Sequence, residues 1–206
     1  MGNTLANIVS YAFHPLLMPS YLYFIVMNYL PDALQPMSLK VMLYILLLIF
    51  ITTCIIPLFS ILGLRTASSI SSLQLTNRKE RILPFTFITL FYALTTYLFH
   101  TKIEVNDFLL SIFIGATLTV AMLTIITIFF KISVHAAGIG CIIGALLAII
   151  YLFPEHRLMW PFSTVILLAG LILSSRLALN AHTSGEVYSG LGIGFIACFM
   201  SVYFLS

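Results

Sequence analysis

Seven apolar stretches, at roughly 9–31, 41–63, 84–100, 108–130, 134–153, 158–174 and 188–205, contain none of the chain's nine Lys+Arg and six Asp+Glu. Each comes close to the ~20 apolar residues that cross a hydrocarbon layer. Backbone groups in lipid have no water to bond, so only helices and closed barrels can cross. The runs are continuous and lack the alternation of a barrel strand. The chain therefore reads as an all-α polytopic transmembrane bundle of about six to seven spans, a single domain over residues 1–206. Charged residues make up 7% of the chain, against about a quarter in a soluble domain. That excludes a soluble fold, which would lack the polar surface to cover itself.

Local signals punctuate the spans. Pro31 and Pro36 bound the first loop, Pro84 opens the third span and Pro154 closes the fifth. Pro15, Pro19 and Pro57 are expected to kink their helices. The third and sixth stretches are short and borrow a turn from their flanks. Gly140/Gly144 and Gly190/Gly194 are GxxxG pairs, which in lipid mark close helix packing. Cys54, Cys141 and Cys198 lie inside apolar runs with no CxxC, and read as inert packing thiols. No basic residue precedes Lys40, so the first stretch lacks the n-region of a cleaved signal and reads as a permanent span.

An odd number of spans sorts the loops onto two faces. One face receives the N-terminus, the 64–83 loop, the 131–133 turn and the 175–187 loop. It carries Arg65, Arg78, Lys79, Arg81, Lys131 and Arg176 against Glu80 and Glu186, a net of +4. The other carries Lys40, Lys102 and Arg157 against Asp32, Glu104, Asp107 and Glu155, a net of −1. The Ser/Thr-rich connection from Arg65 to Arg81 is long enough to lie across the membrane surface and bring its end to a site.

Three clusters converge on the basic face: Arg78-Lys79-Glu80-Arg81-Ile82-Leu83-Pro84, Lys131-Ile132-Ser133-Val134-His135, and Ser175-Arg176 followed by His182 and Glu186. Any one of these cations would ordinarily anchor at lipid headgroups. His14, His100 and His156 sit at span edges or in a loop without a partner pattern and read as interfacial. His135 and His182 differ, because each begins a helix close to basic side chains. Two imidazoles among several cations make a poor transition-metal site, since the cations repel the metal. The same set suits a doubly charged phosphate. Ser133 is a favoured N-cap for the fifth span, whose first N–H groups would face a bound anion. His182 and Glu186 are four apart, so on a helix they share a face. One imidazole nitrogen can then be held by the carboxylate and the other left to attack. The chain has to turn between Arg176 and His182, which Asn180 and Gly185 permit.

Ser175-Arg176-x5-His182-x3-Glu186 resembles the third signature of the membrane type-2 phosphatidic acid phosphatases, SRxxxxxHxxxD, with Glu for Asp. That family is related to the vanadium haloperoxidases. Ser133-Val134-His135 is similar to the Ser-Gly-His of the second signature, PSGH, with Ile132 for Pro and Val134 for Gly. The first signature, KxxxxxxRP, is poorly matched, because Arg81 precedes Pro84 by three residues and no Lys lies seven before it. The three motifs fall in family order over residues 78–186.

The resemblance implies a lipid phosphate phosphatase of phospholipid metabolism. His182 would be the nucleophile forming a phosphohistidine, Glu186 its orienting partner, and His135 the acid that protonates the departing lipid oxygen. Arg176, Lys131, Ser133, Arg81, Lys79 and Ser175 would hold the phosphate. With cations in the place of metals, no metal and no cofactor is called for. The partners implied are a lipid phosphate substrate and membrane lipids, with no nucleic acid. By resemblance the site would lie on the outer side of a bacterial inner membrane, although a bare Lys/Arg count would place the basic face inside. Two rivals come from other classes: a non-catalytic lipid-phosphate binder or transporter, and a haem-carrying electron-transfer protein using His135 and His182.

Overall fold

The computed structural model describes residues 2–67, 78–154 and 156–206. These form seven membrane-length helical spans, and no strand occurs among the described residues. The first span comprises α1 (Asn3–Ala12), a 3₁₀ turn at Pro15–Leu17 and α2 (Met18–Tyr29). The second is α3 (Leu39–Phe50) and α4 (Ile56–Thr66), joined by a π turn at Ile51–Ile55. The third is α5 (Arg78–Leu98) with a π turn at Phe99–Ile103. The remaining four are α6 (Asp107–Thr127), α7 (Val134–Leu152), α8 (Met159–Ala178), preceded by a 3₁₀ turn at His156–Leu158, and α9 (Ser184–Leu205). The chain is an all-α integral membrane protein.

Proline behaves as backbone chemistry requires. Pro15 and Pro19 break the first span into two helices, Pro15 opening the 3₁₀ turn and Pro19 lying in the first turn of α2, where an amide donor is not needed. Pro57 sits in the first turn of α4, directly after the π turn that absorbs the mismatch. Pro84 corrects the expectation that it opens the third span, because it lies inside α5. The helix runs two turns further toward the basic end, carrying Arg78, Lys79 and Arg81 on it. The third and sixth spans gain their missing length in this way, reaching 26 and 23 residues.

Helix α7 is central, packed on α9, α8, α6 and α2. Its contact with α9 is the most intimate, and the two GxxxG pairs make it. A Cβ on Gly140 would run into the Leu191 carbonyl, and one on Gly194 into the Ala137 carbonyl. Lipid offers no hydrophobic drive between helices, so this backbone approach maximises dispersion contact. The same approach corrects the reading of the cysteines. Cys141 on α7 and Cys198 on α9 have Cα atoms 5.2 Å apart and are joined as a disulfide, while Cys54 is a free, half-buried thiol. Elsewhere hydroxyls tie the spans. Thr89 pairs with Thr124 and Thr96 with Thr117, both at 2.8 Å, between α5 and α6. Ser201 on α9 donates to the Ser111 carbonyl of α6 at 2.7 Å.

Candidate functional site

The end of α1, the first turns of α5, the α6–α7 turn and the α8–α9 connection meet at one end of the bundle. Long polar side chains stitch these segments together. Arg81 Nη1 donates to the Ile132 carbonyl at 3.1 Å, and Lys131 Nζ donates to the Ala181 carbonyl at 2.9 Å. The Ser133 amide donates to the Glu186 carbonyl at 3.1 Å. Arg176 Nη1 donates to Ser10 Oγ at 2.9 Å, and His135 Nε2 lies 3.1 Å from the Ser10 carbonyl. The three clusters read from the sequence thus share one site, and the first span joins them. Much of the Ser/Thr-rich connection falls at residues 68–77, outside the described residues.

The centre is His182 with Glu186. Asn180 takes the left-handed conformation, φ 49°, which turns the chain after α8. Asn tolerates that region because its short side chain bonds locally. Gly185 plays no such part, being an ordinary residue in the first turn of α9. His182 precedes α9 instead of lying on it, yet the pair still meets: Nδ1 is 2.6 Å from Glu186 Oε2. Thr183 caps α9, with its Oγ1 accepting from the Glu186 amide at 3.3 Å. Thr183 and Glu186 have the spacing of a capping box, in which the carboxylate folds back onto the cap's amide. Here that carboxylate takes His182 instead.

A carboxylate only accepts, so His182 carries its proton on Nδ1 and presents the Nε2 lone pair. Burial pushes the His182 pKa down to about 4; the charges of Arg81 and Arg176 add to this, and the bond to Glu186 opposes it. At neutral pH the ring is uncharged and nucleophilic.

The cations differ in what they can still bind. Arg81 is buried at 7% exposure, and with Arg176 it lies within electrostatic reach of His182. Arg176 uses Nη1 on Ser10, whereas its Nε is buried without a hydrogen-bond partner. A buried guanidinium N–H left unpaired carries a real desolvation cost, and an anion would relieve it. Lys131 directs its ammonium to the Ala181 carbonyl, and Lys79 is exposed on the first turn of α5. Ser133 is the N-cap of α7, Oγ accepting from the Ala136 amide at 3.4 Å, as its position predicts. Ser175 does not join the phosphate set: its fully buried hydroxyl donates to the Ile172 carbonyl of its own helix at 2.7 Å.

His135 is bound differently from the motif expectation. A carbonyl only accepts, so Nε2 donates to Ser10, and Nδ1 is the nitrogen left to exchange a proton. His14 also departs from its interfacial reading, because its ring stands edge-on to His135 with centroids 5.8 Å apart. Its Nδ1 accepts the Leu16 amide at 3.3 Å, placing its proton on Nε2. Ser10 and His14 are thus site residues that motif spacing missed. The available signal was general: a polar side chain within a span faces the bundle. His100 and His156 lie exposed at the opposite end. Compared with known proteins, the chain matches no family model, no curated protein and no solved structure.

Proposed function

We propose that the protein is a metal-independent lipid phosphate phosphatase, hydrolysing a phosphomonoester or pyrophosphate of a membrane lipid through a phosphohistidine. The observation that carries the reading is His182, held at Nδ1 by Glu186, beside the buried Arg81 and the half-buried Arg176, whose buried Nε has no hydrogen-bond partner. The resemblance of the three motifs to the type-2 phosphatidic acid phosphatases points the same way. It favours the outer side of a bacterial inner membrane, where a substrate's tail stays in lipid.

Phosphoryl transfer needs an in-line nucleophile, charge stabilisation on the equatorial oxygens and a proton for the leaving group. His182 Nε2 attacks phosphorus as the bond from phosphorus to the lipid oxygen breaks. His135, in its protonated form, delivers a proton to that oxygen, releasing the lipid alcohol. Water then attacks the phosphohistidine, His135 takes its proton, and inorganic phosphate leaves with His182 restored. Arg176 and Arg81 hold the equatorial oxygens throughout, with Lys131 and the first amides of α7 beside them. Preorganised donors of this kind supply the largest share of stabilisation in comparable reactions.

The experiment is phosphate release by purified protein from phosphatidate, phosphatidylglycerol phosphate and polyprenyl pyrophosphate, with EDTA present. Release is expected from the wild type and not from His182→Ala. Binding of these lipids without release from any of them would mark a headgroup-binding protein instead.

A further inference from the structure

Behind the cationic cluster, α2, α5, α6 and α7 line a partly open apolar cavity. Its lining begins at Pro15 and Val134, the chain neighbours of His14 and His135, and at Phe85, four residues past Arg81. It ends at Tyr92, Phe113 and Ile142, well inside the bilayer-spanning part. The lining's hydroxyls are turned away: Thr119 donates to its own helix at Gly115, 2.8 Å, and Tyr92 is directed to Thr53. Water there would lack the polar partners it needs, and an unfilled void in a packed interior is destabilising. The natural occupant is apolar. Since the lining starts at the chain neighbours of His14 and His135 and one helical turn from Arg81, the occupant is also the tail of something with an anionic head.

The depth follows from helix rise. The lining spans Val134 to Ile142 on α7 and Ile112 to Leu123 on α6, about 12–16 Å at 1.5 Å per residue. A saturated chain with bonds of about 1.5 Å and angles near 111° advances about 1.25 Å per carbon, so about ten to thirteen carbons fit.

We propose that this cavity is a chain-binding slot that seats one linear alkyl or acyl chain of the lipid phosphate whose headgroup lies at Arg176 and His182. The inference rests on the phosphatase reading for its headgroup. A second chain, where the lipid has one, stays in the bilayer.

Decyl phosphate with a terminal diazirine tests the slot without any turnover. Irradiated with the full chain in phosphatidylcholine nanodiscs, it is expected to label Tyr92, Ile112, Phe113 or Ile142. Label confined to the lipid-facing Leu90, Leu94 and Leu118 overturns the slot. With the wild type, KM for n-alkyl phosphates from butyl upward should fall about fourfold per added methylene, then level off at about ten to thirteen carbons. A fall that continues through hexadecyl phosphate overturns it too. Ala116→Phe, which fills the slot, should raise KM for decyl phosphate by about tenfold or more and leave butyl phosphate within about twofold. Equal effects on both substrates count against the slot. If no alkyl phosphate is hydrolysed, the phosphatase reading fails, and the labelling pattern still decides the slot.

Discussion

The fifth and second spans are both apolar enough to cross a membrane, the second the more so, but they stand at opposite extremes of enclosure. The hydrophobic window of α7 is 61% buried, and that of α3–α4 is 22% buried. Helix α7 has glycines where α9 presses on it, whereas α3–α4 turns Leu43, Leu47 and Phe59 outward to lipid. The hydroxyls of the second span fall back on their own helix, as Thr52 does on Leu48 and Ser60 on Ile56. The candidate site follows the same division. The α7–α9 pair carries Ser133, His135 and Glu186, and the turn before α7 offers the carbonyl that holds Arg81. At the same end the second span carries Arg65, which is exposed. A reacting geometry has to be held to a fraction of an ångström, and only backbone-to-backbone packing in lipid supplies that rigidity.

The comparison breaks most decisively at the nucleophile. His182→Ala should reduce phosphate release to background, while Glu186→Gln keeps a measurable rate, down by about 10²-fold. Both should retain wild-type thermal stability in detergent to within what a partly buried pair allows. Equal activity of His182→Ala and wild type would remove α9 from the chemistry.

Next come the cations. Arg176→Lys should cost about 10²-fold in kcat, because a point charge cannot reproduce the guanidinium fork. Arg65→Lys, at the end of the second span, should stay within about twofold. Steady-state rates in one detergent decide this, and equally mild effects would reduce the basic end to an interfacial belt.

A smaller effect separates the two spans by packing alone. Gly194→Leu drives a side chain against the α7 backbone and should destabilise by about 1–3 kcal/mol or more. Leu43→Ala on the lipid face should stay within about 0.5 kcal/mol. Reversible unfolding in mixed micelles measures both.

The smallest expected effect is a shift in pH dependence. With the His182 pKa pushed down to about 4 from 6.5, the acid limb of the rate should fall near 4. Arg81→Gln removes a charge that disfavours the imidazolium, so the limb should move upward. The stability linkage has the matching sign. Between 6.5 and about 4 the unfolded chain binds the His182 proton before the folded chain does. The folded state therefore loses stability as pH falls through that window, and the contribution is complete above 6.5. A limb that does not move would show that another group governs the acid side.

What was legible came from short-range physics. Span lengths follow from lipid thickness, Ser133 from the unpaired amides of a helix start, and the His182–Glu186 pair from a four-residue spacing. The GxxxG pairs follow from the demand for close approach. The misreadings had two sources, a partner distant in sequence for His14 and the residue's own helix for Ser175 and Pro84. His14 looked interfacial until α8 and α7 brought Arg176 and His135 to the first span. Ser175 matched a signature, but its helix turned the hydroxyl inward. Pro84 looked like a start because proline ends helical patterns more often than it is tolerated within them.

By itself the sequence determined that this chain lives in a membrane, how many times it can cross, and which end collects its cations. Those properties depend on hydrophobic length and charge position, which neighbouring residues set. Tertiary structure alone decided which polar groups face one another. It put Ser10 between Arg176 and His135 and joined Cys141 to Cys198. It also left a cavity behind the cations. Each of these depends on how helices distant in the chain pack, and a small-residue pattern such as GxxxG marks a close approach without naming the partner.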